Sequence, residues 1–173
     1  MGLHSAMLQT MNAKTYYDRA LIRIRELDPK VQFPAEQWVT RCFDLNLIFT
    51  IGNDGGRRTP ERQNELFRIG RRGIPGEKKV TWTLASEHVN GMAIDATLIN
   101  CSYPEIEKIA DIYGIYRPHS TLAKGDYGHF SLSLAEPVLS DPKVNARRLK
   151  RLVDGYSEPH KSRVLKRLYS LPH

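Results

Sequence analysis

The chain has 173 residues, 40% of them hydrophobic, which fits one domain with a short extension and supplies enough apolar side chains for a buried core. No apolar run is long enough to cross a bilayer, and the first residues lack the basic stretch and apolar core of a secretory signal, so we expect neither a transmembrane segment nor a signal peptide. The net charge of +7 lies in residues 143–173, which hold nine Lys or Arg and two acids, whereas the other residues carry 17 bases and 17 acids.

The first part of the chain predicts two helices and a strand. Residues 1–12 show no pattern, and we expect them to be loose. Residues 14–27 place apolar side chains three and four positions apart, which predicts a helix that stops at the Asp-Pro pair 28–29. Pro34 fits the first turn of a second helix. Residues 45–51 then predict a strand, and the glycine-rich residues 52–56 end it.

The cysteine pattern argues against a metal site built from thiolates. Cys42 and Cys101 lie far apart and belong to no Cys-x-x-Cys pair. Cys42 falls on the apolar face of the second predicted helix, so we expect it to be a buried free thiol.

The second part of the chain alternates between strand and helix signals. Thr59 and Pro60 form a helix start, with a capping hydroxyl and a proline at the first position. Three segments are β-prone, namely residues 80–84, 92–99 and 129–132, and residues 104–113 predict another helix. The mixture predicts an α+β fold in which helices flank a small antiparallel sheet that carries the functional site.

After residue 137 the pattern changes, so we divide the chain into a domain of residues 1–137 and a basic helical extension of residues 138–173. The extension contains two short amphipathic stripes separated by a Glu-Pro break. Two interpretations stay open for it. The helices either pack on the domain with solvated basic faces, or bind an anionic cell-wall polymer or anionic lipid.

Three residues form a candidate zinc site, His88, Asp95 and His129. Two imidazoles and one carboxylate are good zinc donors, and three protein ligands leave one position for water, as catalytic zinc requires. Asp95 lies inside an apolar, strand-like run, where a carboxylate is costly unless it is paired or bound to a metal. Gly91 and Gly128 lie beside the ligands, where the backbone needs to turn tightly or approach closely. We therefore expect one Zn²⁺ per chain.

Residues 86–95 read Ser-x-His-x-x-Gly-x-Ala-x-Asp, and residues 126–130 read Asp-x-x-His-Phe. Together they resemble the zinc signature of the D-Ala-D-Ala carboxypeptidase and L-Ala-D-Glu endopeptidase family. These enzymes cleave peptidoglycan and belong to a group that includes lysostaphin and the hedgehog signalling domain. Residues 56–63 resemble the same family's Gly-Tyr-Arg-Ser/Thr-x-x-x-Gln segment. The resemblance covers residues 30–135 and favours the bacteriophage endolysin branch.

The resemblance implies roles for further residues. It assigns the general base to Asp126, with Glu87 as a weaker alternative. It assigns to Arg58 the role of the cation that stabilises the transition state or holds a substrate carbonyl. Arg58 is chosen because the five-residue step to Gln63 fits it, although Arg57 stands where the family has Tyr. The remaining positions are Gln63 at the cleft and Ser86 as a hydrogen-bonding support. Apart from the resemblance, His119 is a spare imidazole that could replace a ligand or contact substrate, although a surface role is favoured for it.

The function that follows is zinc-dependent hydrolysis of the peptidoglycan stem peptide, with an endolysin that cuts the L-Ala-D-Glu bond as the leading hypothesis. A D-Ala-D-Ala carboxypeptidase with the same metal site is the alternative. Without a signal peptide, such an enzyme is expected to accumulate as a monomer in the cytoplasm of the infected bacterium and to reach the wall after release.

Two hypotheses from other classes also follow from the sequence. The basic extension fits a non-catalytic module that binds anionic polymer or nucleic acid, although its bases lack interleaved aromatics and match no nucleic-acid motif. The second hypothesis is an inactive, zinc-bearing signalling domain, and the presence of Asp126 and Arg58 argues against it.

Overall fold

The computed structural model describes residues 2–118 and 125–135, with side chains described from residue 12 onward. These residues form four α-helices, one short 3-10 helix and a three-stranded sheet, which confirms the α+β prediction. In chain order the elements are α1 (Gly2–Ile24), α2 (Pro29–Asp44), β1 (Phe49–Ile51), α3 (Pro60–Arg68), β2 (Ala93–Leu98), α4 (Tyr103–Ala110), the 3-10 helix Asp111–Tyr113 and β3 (His129–Ser131). No helix in this part of the chain is long and apolar enough to cross a membrane.

The sheet is antiparallel and has the order β1-β2-β3, so β2 is its central strand. On one side Thr97 of β2 lies opposite Thr50 of β1, and on the other side Asp95 of β2 lies opposite His129 of β3. Directly opposed residues of antiparallel strands have Cβ atoms about 4.5–5.5 Å apart. The strand register therefore brings a carboxylate and an imidazole together without any contribution from a loop.

The core is centred on Trp38 of α2, which is fully buried. Its ring lies 5.2 Å from that of Phe49 in β1 and 4.8 Å from that of Phe130 in β3, measured between centroids. Its indole nitrogen donates a hydrogen bond of 3.1 Å to the carbonyl of Ile106 in α4. One side chain thus joins two helices to both outer strands of the sheet, and the buried thiol predicted for Cys42 is confirmed in the same core.

Two expectations about the first helices are wrong. Residues 2–12 belong to α1 and are not loose; they contain good helix formers such as Ala, Leu, Met and Gln, whose propensity acts even where no apolar period is visible. The Asp-Pro pair 28–29 starts α2, because Asp28 is its N-cap, accepts a hydrogen bond from the Lys30 amide at 3.1 Å, and precedes a proline at the first position. Pro34 therefore lies inside α2, where it is buried.

Three of the four segments predicted as β contain strands, each shorter than predicted. The segment predicted at residues 45–51 begins its strand at Phe49, because Leu45 caps α2 and Asn46 turns the chain with a φ of 57°. Residues 80–84 form no strand, although their composition is β-prone. The helix start at Thr59 is confirmed, since its hydroxyl accepts a hydrogen bond from the Arg62 amide. The predicted extension of residues 138–173 and His119 lie outside the described residues.

Gly91 joins the sheet to the junction between α1 and α2. Its φ is +67°, and its carbonyl accepts a hydrogen bond from the Asp28 amide at 3.1 Å. A Cβ at this position would lie 2.6 Å from the Asp28 nitrogen, which is backbone and cannot move aside cheaply. The close approach and tight turn predicted beside the metal ligands are therefore present here.

Replacing Gly91 by alanine should destabilise the fold by at least about 1–2 kcal/mol, because a left-handed backbone and a backbone clash act together. The measurement is the free energy of unfolding in urea. Gly52→Ala is the matched control, since a Cβ there meets nothing within 4 Å. Equal stability of the two variants would contradict this view of the junction.

Candidate metal centre

Three potential metal donors converge at the end of the sheet. The Nε2 of His88, the Oδ1 of Asp95 and the Nδ1 of His129 lie pairwise 3.1, 3.1 and 3.2 Å apart. This is the group that the sequence predicted, and it could hold a metal ion. Both imidazoles are buried, with 1% and 8% of their surfaces exposed, so the donors are held inside the protein.

The donor set fits a small divalent ion. Metal bonds of about 2.0–2.1 Å in tetrahedral directions require donor atoms about 3.3 Å apart, close to the observed spacing. Two neutral imidazoles and one carboxylate suit zinc, and similar sites bind other first-row metals. The geometry therefore supports a metal site of this size without selecting one metal.

His88 is fixed by backbone on both sides. Residues 86–91 form a turn in which the amides of Val89 and Gly91 bond back to the carbonyls of Ser86 and His88. The Nδ1–H of His88 donates to the Gly56 carbonyl at 2.7 Å. Because that nitrogen carries the proton, the lone pair of Nε2 faces the other two donors, which is the orientation that metal-binding histidines need.

His129 is oriented by a carboxylate. Its Nε2–H donates to Oε2 of Glu87 at 3.3 Å, and the other oxygen of Glu87 accepts a hydrogen bond of 2.9 Å from the Ser131 hydroxyl. This arrangement leaves Nδ1 of His129 for the metal. Glu87 was considered from the sequence as a weak alternative base. In the structure Glu87 lines the same cleft as the three donors and accepts the hydrogen bond of His129, an orienting role that the sequence did not indicate.

Arg58 binds the second oxygen of Asp95. Its Nη2 lies 2.5 Å from Oδ2, its Nε donates to the Asp54 carbonyl, and its Nη1 donates to Oε1 of Gln63 at 3.2 Å. The neighbouring Arg57 is exposed. Of the two arginines left open by the sequence, the structure brings Arg58 to the centre.

Gln63 is buried and does not line the cleft. Its Nε2 donates to the hydroxyl of Thr81 at 3.1 Å and to the carbonyl of Thr83 at 2.7 Å. Through Oε1 it also holds Arg58. Gln63 therefore ties α3 and the residues around Thr83 to the arginine.

The three donors open into a cleft of about 660 Å³. Its lining includes most of residues 79–88, among them Ser86, and it also includes Asp126. The Ser86 hydroxyl accepts a 3.4 Å hydrogen bond from the amide of His88, which agrees with a supporting role. The pKa of Asp126 is raised, first because partial burial disfavours its charge and second because the Asp95 carboxylate is near.

The candidate donors also bind protons. Burial works to lower the pKa of His129, but hydrogen bonds with the carboxylates of Asp95 and Glu87 outweigh it and raise that pKa to about 9. Burial works to raise the pKa of Asp95, but the hydrogen bonds from His129 and His88 outweigh it and lower that pKa. Asp95 and protonated His129 thus form an ion pair, and a metal that binds here would have to displace the proton of His129.

Replacing Glu87 by glutamine should weaken zinc binding by about 10–100-fold, because the ring of His129 loses the carboxylate that orients it. Competition with a chromogenic chelator measures the affinity. Glu36→Gln makes the same change at an exposed position on α2 and should bind zinc normally. Wild-type affinity in Glu87→Gln would contradict the orienting role.

Zinc binding should release about one proton at neutral pH, because His129 is protonated below its pKa of about 9 and must be neutral to bind. The apparent affinity should accordingly fall by about tenfold for each pH unit below 9. Calorimetry in buffers of different ionisation enthalpy measures the released proton. Affinity that is flat between pH 7 and 9 would show that the metal does not displace this proton.

Comparisons with known proteins add no relative to this description. No protein-family model matches the chain, and a search of curated proteins finds no match. The functional conclusion for this chain must therefore come from the donor geometry, the cleft and the motifs.

Proposed function

We propose that this protein is a zinc-dependent peptidase that hydrolyses peptidoglycan stem peptides, with the L-Ala-D-Glu bond as its target. The observation that carries the proposal is the convergence of His88, Asp95 and His129 at 3.1–3.2 Å inside an open cleft. The ordered motifs that resemble the D-Ala-D-Ala and L-Ala-D-Glu peptidases supply the substrate class.

In this proposal His88, Asp95 and His129 hold one zinc ion. Bound zinc supplies Lewis-acid chemistry, which activates water as a nucleophile at neutral pH and polarises the scissile carbonyl. The protein's own contribution is to fix the three donors through Gly56, Glu87 and Arg58 and to shape a cleft beside them.

Asp126 is the general base in this scheme. Asp126 lines the same cleft, and its electrostatic partners there include Asp95, His129 and Arg58. A carboxylate with an ordinary pKa is a weak base at neutral pH, so the raised pKa of Asp126 brings it closer to the operating range. It accepts a proton from the attacking water and can deliver it to the leaving amine.

Arg58 combines two tasks in the proposal. Three of the five N–H groups of a guanidinium are accounted for by its bonds to Asp54, Gln63 and Asp95. Because the residue also lines the cleft, its remaining donors are available to a substrate carbonyl, where a fixed cation stabilises developing negative charge. Its tethers mean that little reorganisation is needed during the reaction.

The cleft wall suits a short peptide that carries both methyl and carboxylate groups. Val80 and Trp82 line it with exposed apolar surface, and Lys79 adds a cation beside the Trp82 ring, 5.4 Å from its centroid. Stem peptides combine alanine methyls with acidic side chains, so both kinds of contact have partners.

The experiment is mass analysis of purified stem peptides digested with zinc-loaded protein, with and without chelator. Release at L-Ala supports the proposal, whereas loss of one terminal D-Ala would assign the carboxypeptidase activity instead. A zinc-loaded protein that cleaves neither bond would overturn the proposal and favour a binding or signalling role.

Asp126→Asn should reduce turnover by about 10²–10⁴-fold, the usual contribution of general-base catalysis, and should keep one zinc per chain. Wild-type activity should fall as pH decreases through the raised pKa of Asp126, because protonation removes the base; the variant should lack that part of the acid limb. Asp18→Asn, an exposed change on α1, is the control. Loss of zinc in Asp126→Asn would make Asp126 a ligand.

A further inference from the structure

Arg117 is a buried cation outside the donor group, with 8% of its surface exposed. Its Nη2 donates to Oε2 of Glu107 in α4 at 2.7 Å, and Glu107 is itself only 2% exposed. The guanidinium carbon lies 5.3 Å from the centre of the Tyr103 ring and 5.9 Å from that of Phe130. An ion pair and two aromatic rings therefore hold this side chain in place.

The second amino group of Arg117 reaches the turn that carries Asp126. Its Nη1 donates a hydrogen bond of 3.2 Å to the carbonyl of Tyr127. A backbone hydrogen bond also holds this turn, from the amide of Ala96 in β2 to the carbonyl of Gly128 at 2.8 Å. Tyr127 and Gly128 are the two residues between Asp126 and His129, so both tethers act between the base and a metal donor.

The direction of the side chain excludes direct contact with substrate. Tyr116 and Pro118 line the cleft, whereas Arg117 between them does not. Tyr116 pairs with Ser131 of β3 in an antiparallel bridge, and neighbouring residues of an extended chain point to opposite faces. Arg117 thus approaches the turn from behind, on the side opposite to the cleft.

A purely stabilising role explains this arrangement poorly. Buried ion pairs often stabilise a fold no better than apolar side chains of similar size, because both charges must leave water. They can, however, fix one geometry, since a guanidinium presents its donors in a rigid fork. In Arg117 one arm of the fork is held by Glu107, and the other is aimed at a backbone carbonyl.

We propose that Arg117 is a positioning residue that holds residues 125–128, so that Asp126 faces the cleft beside His129. The effect on catalysis rests on the proposed function, whereas the effect on the turn does not. The ion pair with Glu107 fixes the orientation of the guanidinium. The Tyr103 ring beside it is itself held by a hydrogen bond of 3.1 Å from its hydroxyl to the Ala96 carbonyl.

The first test is Arg117→Met, which keeps an unbranched apolar stem and removes the fork. Zinc should stay at one per chain. The ¹⁵N order parameters of residues 125–128 should fall, while those of β1 stay at the wild-type value. Ile106→Val, a conservative change at a buried position next to Glu107, is the control for general loss of core packing. Unchanged order parameters in the turn would overturn the proposal whether or not the protein is a peptidase.

The second test is a double-mutant cycle with Asp126→Asn. Because small displacements of a catalytic group are costly, Arg117→Met should lower kcat by about 10–100-fold in the wild-type background, with little change in KM. In the Asp126→Asn background it should lower kcat by less than about twofold, since the group that it positions is already inactive. Equal losses in both backgrounds would show that Arg117 does not act through Asp126.

A third variant guards against misfolding. Arg117→Lys retains the charge but cannot reach Glu107 and Tyr127 with the same planar fork, so it should show a smaller loss with the same dependence on Asp126. If Arg117→Met does not fold, this variant carries both tests, and an additive loss overturns the proposal. Inactivity of the wild-type enzyme on every stem peptide would refute the proposed function alone, because the order parameters still decide the role of Arg117.

Discussion

The structure depends on one carboxylate, Asp95, placed in the central strand of the sheet. One of its oxygens faces both imidazoles and the other binds Arg58. Its backbone amide donates to the Gly55 carbonyl at 2.7 Å, so the residue also holds the loop after β1. A carboxylate set in an apolar strand is tolerated only when charge and hydrogen bonds compensate it, and here every compensating group belongs to the candidate centre.

The need to compensate the buried charge of Asp95 explains how the loops around the sheet are arranged. The loop after β1 supplies the Gly56 carbonyl to His88 and ends at Arg58, whose amide bonds back to the His88 carbonyl. The turn of residues 86–91 then returns to the helices through Gly91 and Asp28. The strand register places Asp95 opposite His129, and the loops supply the third donor, His88, and the groups that orient it.

The sequence predicts the donors better than their supports. His88, Asp95 and His129 could be found because their residue types suit a metal and because an acid in an apolar run is conspicuous. The orienting role of Glu87 could not be found from the sequence, because an acid in a turn has many possible partners and only the folded sheet places it beside His129. Arg58 could be preferred over Arg57 by motif spacing, but its bond to Asp95 depends on a contact across 37 positions. The second half of α1 was predicted from its apolar period, but its beginning at residues 2–12 was missed, because propensity without a visible period is a weak signal.

X-ray absorption at the zinc edge of the loaded protein tests whether His88, Asp95 and His129 bind one zinc ion. The spectrum should show two imidazole nitrogens and oxygen donors at about 2.0–2.2 Å, with no sulfur. His129→Ala should remove one imidazole from the spectrum or abolish binding. A sulfur shell at about 2.3 Å, or an unchanged spectrum in His129→Ala, would show that these three residues are not the zinc ligands.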